Sequence, residues 1–210
     1  MGEIISLSIG KPKSHFWKNA YEDSAIAKLE VKEAFLKKEG FIDDDVANHK
    51  YHGGPDRAVC VYSFEHYSKW EQEFGKVFSP PAVGENLCVK GMLEQDIFIG
   101  DTFTIGEAIV QVSQGRIPCA KISKFNREDS LLRRIVETGY TGYFFRVIKE
   151  GVIEQNCEIT LLERTQDKIS VLYANEIMFR DRKNQAAILE IIKVKELAEA
   201  WRQSLEKSLK

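Results

Sequence analysis

Short apolar runs separated by turn residues dominate the chain as far as about residue 162. Residues 3–9 open with one such run, and residues 29–35 alternate Leu29 and Val31 with charged neighbours. Further strand-length runs cover 58–62, 86–89, 96–99, 102–105, 108–113, 143–148 and 158–162. Gly53-Gly54-Pro55-Asp56, Pro80-Pro81, Gly91, Gly100-Asp101, Gly106, Gly139 and Gly151 punctuate them. Many short strands broken by glycine predict a closed barrel or sandwich, not a βαβ wind. Two helices interrupt the strands. Ser63 is positioned to cap one that carries Phe64, Tyr67, Trp70 and Phe74 at helical spacing, and residues 129–137 form the other.

After Arg164 the period changes. Residues 170–179, 185–192 and 194–209 all read as helix, and in the last of them Val194, Leu197, Ala198, Trp201 and Leu205 make one apolar stripe. Three short helices bury little alone, so they are expected to pack together or dock on the barrel. The division is therefore 1–164 for a mainly β barrel with peripheral helices and 165–210 for a small three-helix appendage.

Composition narrows the class without naming a chemistry. The 210 residues are 43% hydrophobic and 30% charged, with a formal net charge of -2. That balance gives no electrostatic footprint for nucleic acid or an anionic membrane. No apolar run is long enough for a membrane span, and the first residues lack a signal-peptide pattern, so a cytoplasmic protein is expected. The four cysteines, Cys60, Cys88, Cys119 and Cys157, form no CxxC pair. A zinc ribbon or dithiol redox motif is thereby disfavoured. Cys60 and Cys88 lie in apolar runs and read as small core side chains.

Three segments are chemically dense. In Gln111-Val-Ser-Gln114-Gly-Arg116-Ile-Pro-Cys119 a strand gives way to a polar turn, with Gly115 read as freeing a bend and Pro118 fixing its own φ. Arg116 and Lys121 put cations near the sulfur, where they would favour thiolate, the form that attacks electrophiles or binds soft metals. A buried thiol after a β-turn is the plainer reading. In His49-Lys-Tyr-His52-Gly53-Gly54-Pro-Asp-Arg57 the glycines expose backbone amides suited to an anion or flat polar ligand. A plain tight turn with surface histidines, or a zinc site on His49 and His52, would use the same residues. In Gly84-Glu85-Asn86-Leu87 an acid and an amide precede a strand; they suit the edge of a polar heterocycle, or simply satisfy backbone groups. His66, on the 63–74 helix, reads as structural.

Taken in order, 51–58, His66-Tyr-x-x-Trp70, 84–87, Ile99-Gly-Asp101, 111–119 and 139–147 resemble the MOSC domain, the C-terminal module of molybdenum-cofactor sulfurases. The resemblance is to its bacterial YiiM-like branch, which carries three helices after the barrel. It implies a MOSC-type β-barrel whose cleft holds the molybdenum cofactor, a molybdopterin. Cys119 would ligate the metal or carry a persulfide, and His52, Gly53, Gly54, Arg57, Glu85, Asn86, Gln114 and Arg116 would bind the cofactor. Many relatives have proline where Gly115 stands, which leaves the aim of Arg116 open. The implied activity is reduction of small N-hydroxylated compounds, with electrons from a separate flavin or iron–sulfur protein. The alternative is a non-catalytic carrier of persulfide sulfur or of the cofactor. A cysteine hydrolase pairing Cys119 with His52 is a third reading. No pyridoxal-phosphate domain fits in the chain, so that cofactor is not expected.

Overall fold

The computed structural model describes residues 2–50 and 52–209; Tyr51, the first residue of the histidine–glycine motif, lies outside them. Its centre is a closed barrel. The strands are β1 (Gly2–Ile9), β7 (Val59–Ser63), β8 (Leu87–Lys90), β9 (Thr102–Ile105), β10 (Ala108–Gly115), β11 (Tyr143–Lys149) and β13 (Glu158–Glu163). They follow the order β13-β9-β10-β11-β7-β8-β1, and β1 closes the ring by pairing Gly2 with Ile159 and Glu3 with Glu158. All neighbours are antiparallel except β7 and β8. Closure leaves no open sheet edge and packs alternate apolar residues such as Leu7, Val61, Leu87, Ile105, Val112 and Phe145 inside.

Outside the ring, β4 (Leu29–Glu30) extends β1, and β5 (Glu33–Lys37), β6 (Gly40–Phe41) and β12 (Gly151–Glu154) form a small sheet. The single strand expected over 29–35 is thus two. The Val31 amide turns to the Leu7 carbonyl, and the chain changes sheets there. Strands β2 (Lys13–Trp17) and β3 (Ala20–Ser24) make a hairpin absent from the sequence reading. Its turn residues, Lys18 and Asn19, both have positive φ, 46° and 68°. Such turns match the twist of a two-residue hairpin but usually advertise themselves with glycine.

Among the described residues six α-helices decorate the barrel: α1 (Glu65–Phe74), α2 (Lys121–Asn126), α3 (Leu131–Thr138), α4 (Val171–Phe179), α5 (Gln185–Ile191) and α6 (Glu199–Glu206). Ser63 does not cap α1. It is buried at the end of β7 and its hydroxyl donates to the Met92 carbonyl, 2.8 Å away. The last helix begins at Glu199, because the apolar residues Val194 and Leu197 belong to turns packed on the core. Among the described residues no helix is long and apolar enough to cross a membrane.

The three C-terminal helices are docked on the barrel. Val171, Ile188, Trp201 and Leu205 belong to the same continuous apolar cluster as the barrel strands. Residues 96–99, expected as a strand, instead receive the start of this region. Ile99 N donates to Ile169 O, Val171 N to Ile97 O, and Phe98 bridges Ser170. Asp101 secures the junction, accepting from Phe98 N and from both Nε and Nη2 of Arg164. The Ile99-Gly-Asp101 motif therefore serves the seam between barrel and helices.

Candidate functional site

A cleft of about 1080 Å³ opens where the ends of β7, β8 and β10 meet residues 44–50 and 52–54. The sequence folds this way for local reasons. Gly53 and Gly54 have φ of 74° and 89°, and a 3-10 turn over Pro55–Arg57 follows at once. Gly54, at φ 89° and ψ 166°, occupies a region open essentially to glycine alone and turns the backbone around the cleft edge. The Arg57 Nε returns to the Gly53 carbonyl at 2.8 Å, which fixes the turn from within.

Opposite this turn, β10 delivers Gln114 and then Arg116. Gly115 is not a bend. It ends the strand paired with Tyr143, and its φ lies outside the left-handed region. Its missing side chain serves close packing against the C-terminal helices. A Cβ there would collide with Asn175 Oδ1 and stand 2.8 Å from Trp201 Cη2. The bend expected at Gly115 begins one residue later, in the loop carrying Pro118 and Cys119 before α2.

Arg116 Nη2 donates to the Val83 carbonyl at 2.6 Å, while Nη1 is buried without a hydrogen-bond partner. Burial works against its charge, yet the Cys60, Cys119 and Glu85 side chains around it hold its pKa above the ordinary arginine value. Gln114 is similar: Nε2 donates to Gly115 O, and Oε1 is buried and unpaired. Both residues line the cleft. Buried polar atoms without partners cost stability unless something else binds them.

Cys119 is a half-buried free thiol on the same cleft wall. His52 also lines the cleft, and its pKa is lowered by burial first and then by Arg116, Arg57 and Lys121. Among the described residues no hydrogen bond joins His52 to Cys119, so the hydrolase pairing finds no support. His49 faces solvent beside Asp45, 3.4 Å away. No group of three or more potential ligands for a metal occurs among the described residues.

The Gly84-Glu85-Asn86 segment divides. Asn86 lines the cleft but spends its amide on the fold: Nδ2 donates to Ser8 O and Asp44 Oδ2, and Oδ1 accepts from Cys60 N. Glu85 is a correction. It is wholly buried behind the wall, where it accepts from Tyr67 OH at 2.5 Å and Val83 N at 3.3 Å, and burial raises its pKa. Its carboxyl is not available to a ligand in the cleft. His66 is structural as expected, stacked on Tyr140 and bonded to Glu94 at 2.6 Å.

Sequence reasoning missed Cys60, Lys28 and Asp44 as cleft residues, while Lys121, read there as a cation near Cys119, also lines the cleft. Cys60 looked like core, and it is also core: 7% exposed, with burial raising its pKa and Arg116 opposing. Lys28 and Asp44 form a buried ion pair across the cleft floor. Lys121 donates to the Asp23 carbonyl and ties α2 to the β2–β3 hairpin. Only Lys121 carried a signal, its place two residues after Cys119.

Comparison with known proteins agrees with this arrangement. The MOSC domain family matches residues 48–160, and the YiiM-like 3-alpha helix domain matches residues 169–210. The YflK protein of Bacillus subtilis is 42% identical over 97% of this chain and 93% of its own length. Protein YiiM of Escherichia coli is 35% identical over 98% of this chain and 88% of its own. The crystal structure of YiiM from Geobacillus stearothermophilus superposes with a TM-score of 0.85 at 34% identity, covering 100% of both chains. A protein named reductase from Gibberella moniliformis is 34% identical over 69% of this chain, which spans 26% of that protein. The chain belongs to the MOSC-domain family, and within it to the YiiM-like proteins that follow the barrel with three helices.

Proposed function

We propose that the protein binds a molybdenum cofactor in this cleft and reduces small N-hydroxylated compounds, taking electrons from a separate flavin or iron–sulfur protein. The observation that carries the reading is one wall holding two unpaired buried polar groups, Arg116 Nη1 and Gln114 Oε1, beside the free thiol of Cys119.

The residues suit the group. A soft thiolate is a fitting ligand for molybdenum, so Cys119 would hold the metal. Arg116 offers a charged donor for a phosphate, and Gln114 an acceptor for a pterin N–H. Arg57 and Lys121 add positive charge, while Lys28 is neutralised by Asp44. The Gly53–Gly54 turn leaves backbone unobstructed at the opposite rim; no atom lies within 4 Å of a Cβ built on Gly54.

When bound, the group supplies the two-electron redox chemistry by which an N–OH compound, two electrons and two protons give an N–H compound and water. His52 is held neutral by burial and the neighbouring cations, and so presents one N–H and one acceptor nitrogen to a ligand. Arg116 is anchored through Nη2, which leaves the buried Nη1 free to donate to a ligand. The reductase relative adds support for redox chemistry.

The test is metal and pterin analysis of protein purified from a host that makes the cofactor, beside Cys119→Ala. Stoichiometric molybdenum and pterin, with metal falling in the variant, is the expected result. Folded protein with neither in both samples would overturn the reading. A stable extra sulfur on Cys119 without turnover would favour the carrier alternative.

A further inference from the structure

The three-helix region packs against the cleft wall behind Gly115 and lines the cleft at Ala200. On one side of Gly115 stands Gln114, on the other Arg116. Against its back lie Asn175 of α4 and Trp201 of α6, so close that a Cβ would strike both. Asn175 is fully buried and grips the neighbouring loop as well: Nδ2 donates to Gly139 O at 2.8 Å and to Thr141 Oγ1 at 2.9 Å. That loop continues into Gly142, whose carbonyl accepts from Arg116 N at 2.9 Å and whose amide donates to Glu94 Oε1 at 2.8 Å. Ala198 N donates to Ser113 O at 2.8 Å, and Ala200 lines the cleft itself. Asn175 Oδ1 is left buried and unpaired beside these bonds, at a cost in stability.

We infer that Asn175 is a positioning residue for the ligand-gripping pair: the three-helix region, through Asn175 and Trp201 on Gly115, sets where Gln114 and Arg116 stand in the cleft. The inference rests on the proposed function only for the identity of the ligand. The placement of the two side chains is a property of the chain alone. Removing the amide frees the 139–141 loop and opens space behind Gly115, so the strand end relaxes away from the cleft. Pushing the same place, with Gly115→Ala, displaces the pair in the other direction.

The experiment reads side-chain NMR of cofactor-free protein, following the Gln114 carboxamide and Arg116 guanidinium signals in wild type, Asn175→Ala, Gly115→Ala and the double variant. Both single variants should move these signals and raise their solvent exchange about tenfold, the size of one buried hydrogen bond. Amides of β1 and β8, on the opposite side of the barrel, should stay unchanged. The double variant, which removes the worst clash, should bring the signals part of the way back. Molybdenum content of protein from a cofactor-producing host should fall about tenfold in both single variants at limiting cofactor.

If Asn175→Ala fails to fold, Gly115→Ala and the double variant carry the test. Unmoved Gln114 and Arg116 signals in any folded single variant would overturn the inference, whatever the metal content. Moved signals in a protein whose wild type binds no molybdenum would uphold the positioning role and reject the cofactor reading.

Discussion

The cleft contains two clusters that each combine charged and amide side chains, Lys28, Asp44 and Asn86 in one and Gln114 and Arg116 in the other, and they differ in how completely they are satisfied. In the first, Asp44 accepts from Gly10 N, Lys28 Nζ and Asn86 Nδ2, and Asn86 in turn spends its amide on Ser8, Asp44 and Cys60. In the second, Arg116 and Gln114 each make one bond and keep one buried atom idle. In the sequence only Asn86 of the first cluster stood in a motif, where it looked as available to a ligand as Gln114 and Arg116. A saturated cluster holds the backbone; an unsaturated one keeps hydrogen-bonding capacity, which the proposed function assigns to a ligand. Proximity to the cleft therefore does not by itself make a residue a binding residue.

The largest expected effect falls on the saturated cluster. Asp44→Ala leaves the Lys28 ammonium buried without its partner, and should destabilise the fold by about 3–5 kcal/mol, read by chemical unfolding. Arg116→Leu should do the reverse, with stability held within about 1 kcal/mol and molybdenum occupancy lost. Equal stability losses in the two variants would erase the distinction. Cys119→Ala should likewise strip metal from the protein while moving stability by no more than about 0.5 kcal/mol.

Glu85→Gln belongs with the saturated group, because its carboxyl serves Tyr67 and Val83. It should leave cofactor occupancy unchanged, and a loss of pterin without unfolding would put Glu85 back among the ligand contacts. The smallest effect is on pH dependence. The folded-state pKa of His52 is lowered, so as pH falls below about 6.5 the unfolded chain takes up the proton first and stability drops, until the folded histidine titrates too. Above that pH both states are neutral and the group contributes nothing. His52→Gln should flatten this part of the stability–pH curve, and an unchanged slope would show that His52 is not the group responsible.

Much of the barrel could be read directly. Period-two runs and glycine punctuation located β1, β7, β9, β10, β11 and β13, since each strand buries its own face and carries its own pattern. The hairpin β2–β3 was silent because its turn uses Lys18-Asn19, and its strands expose most of their residues. Residues 96–99 misled because apolar alternation records burial, and here Ile97 and Ile99 are buried under the C-terminal helices. In the candidate site, Cys119, Arg116, His52 and the paired glycines stood out by residue type and spacing, and Gln114 entered through the family resemblance. Lys28, Asp44 and Asn175 did neither, being single polar residues far apart in sequence.

The sequence alone determined most of the barrel strands, the helices other than α2, the change of character after Arg164, and the loop that carries the cysteine, all of which depend on local periodicity and backbone preference. Only the tertiary structure decided which polar groups are satisfied and why position 115 is glycine. Hydrogen-bond saturation and steric clearance are properties of partners. For Arg116 and Gly115 those partners come from Val83, Gly142, Asn175 and Trp201, which chain closure brings together from distant parts of the sequence.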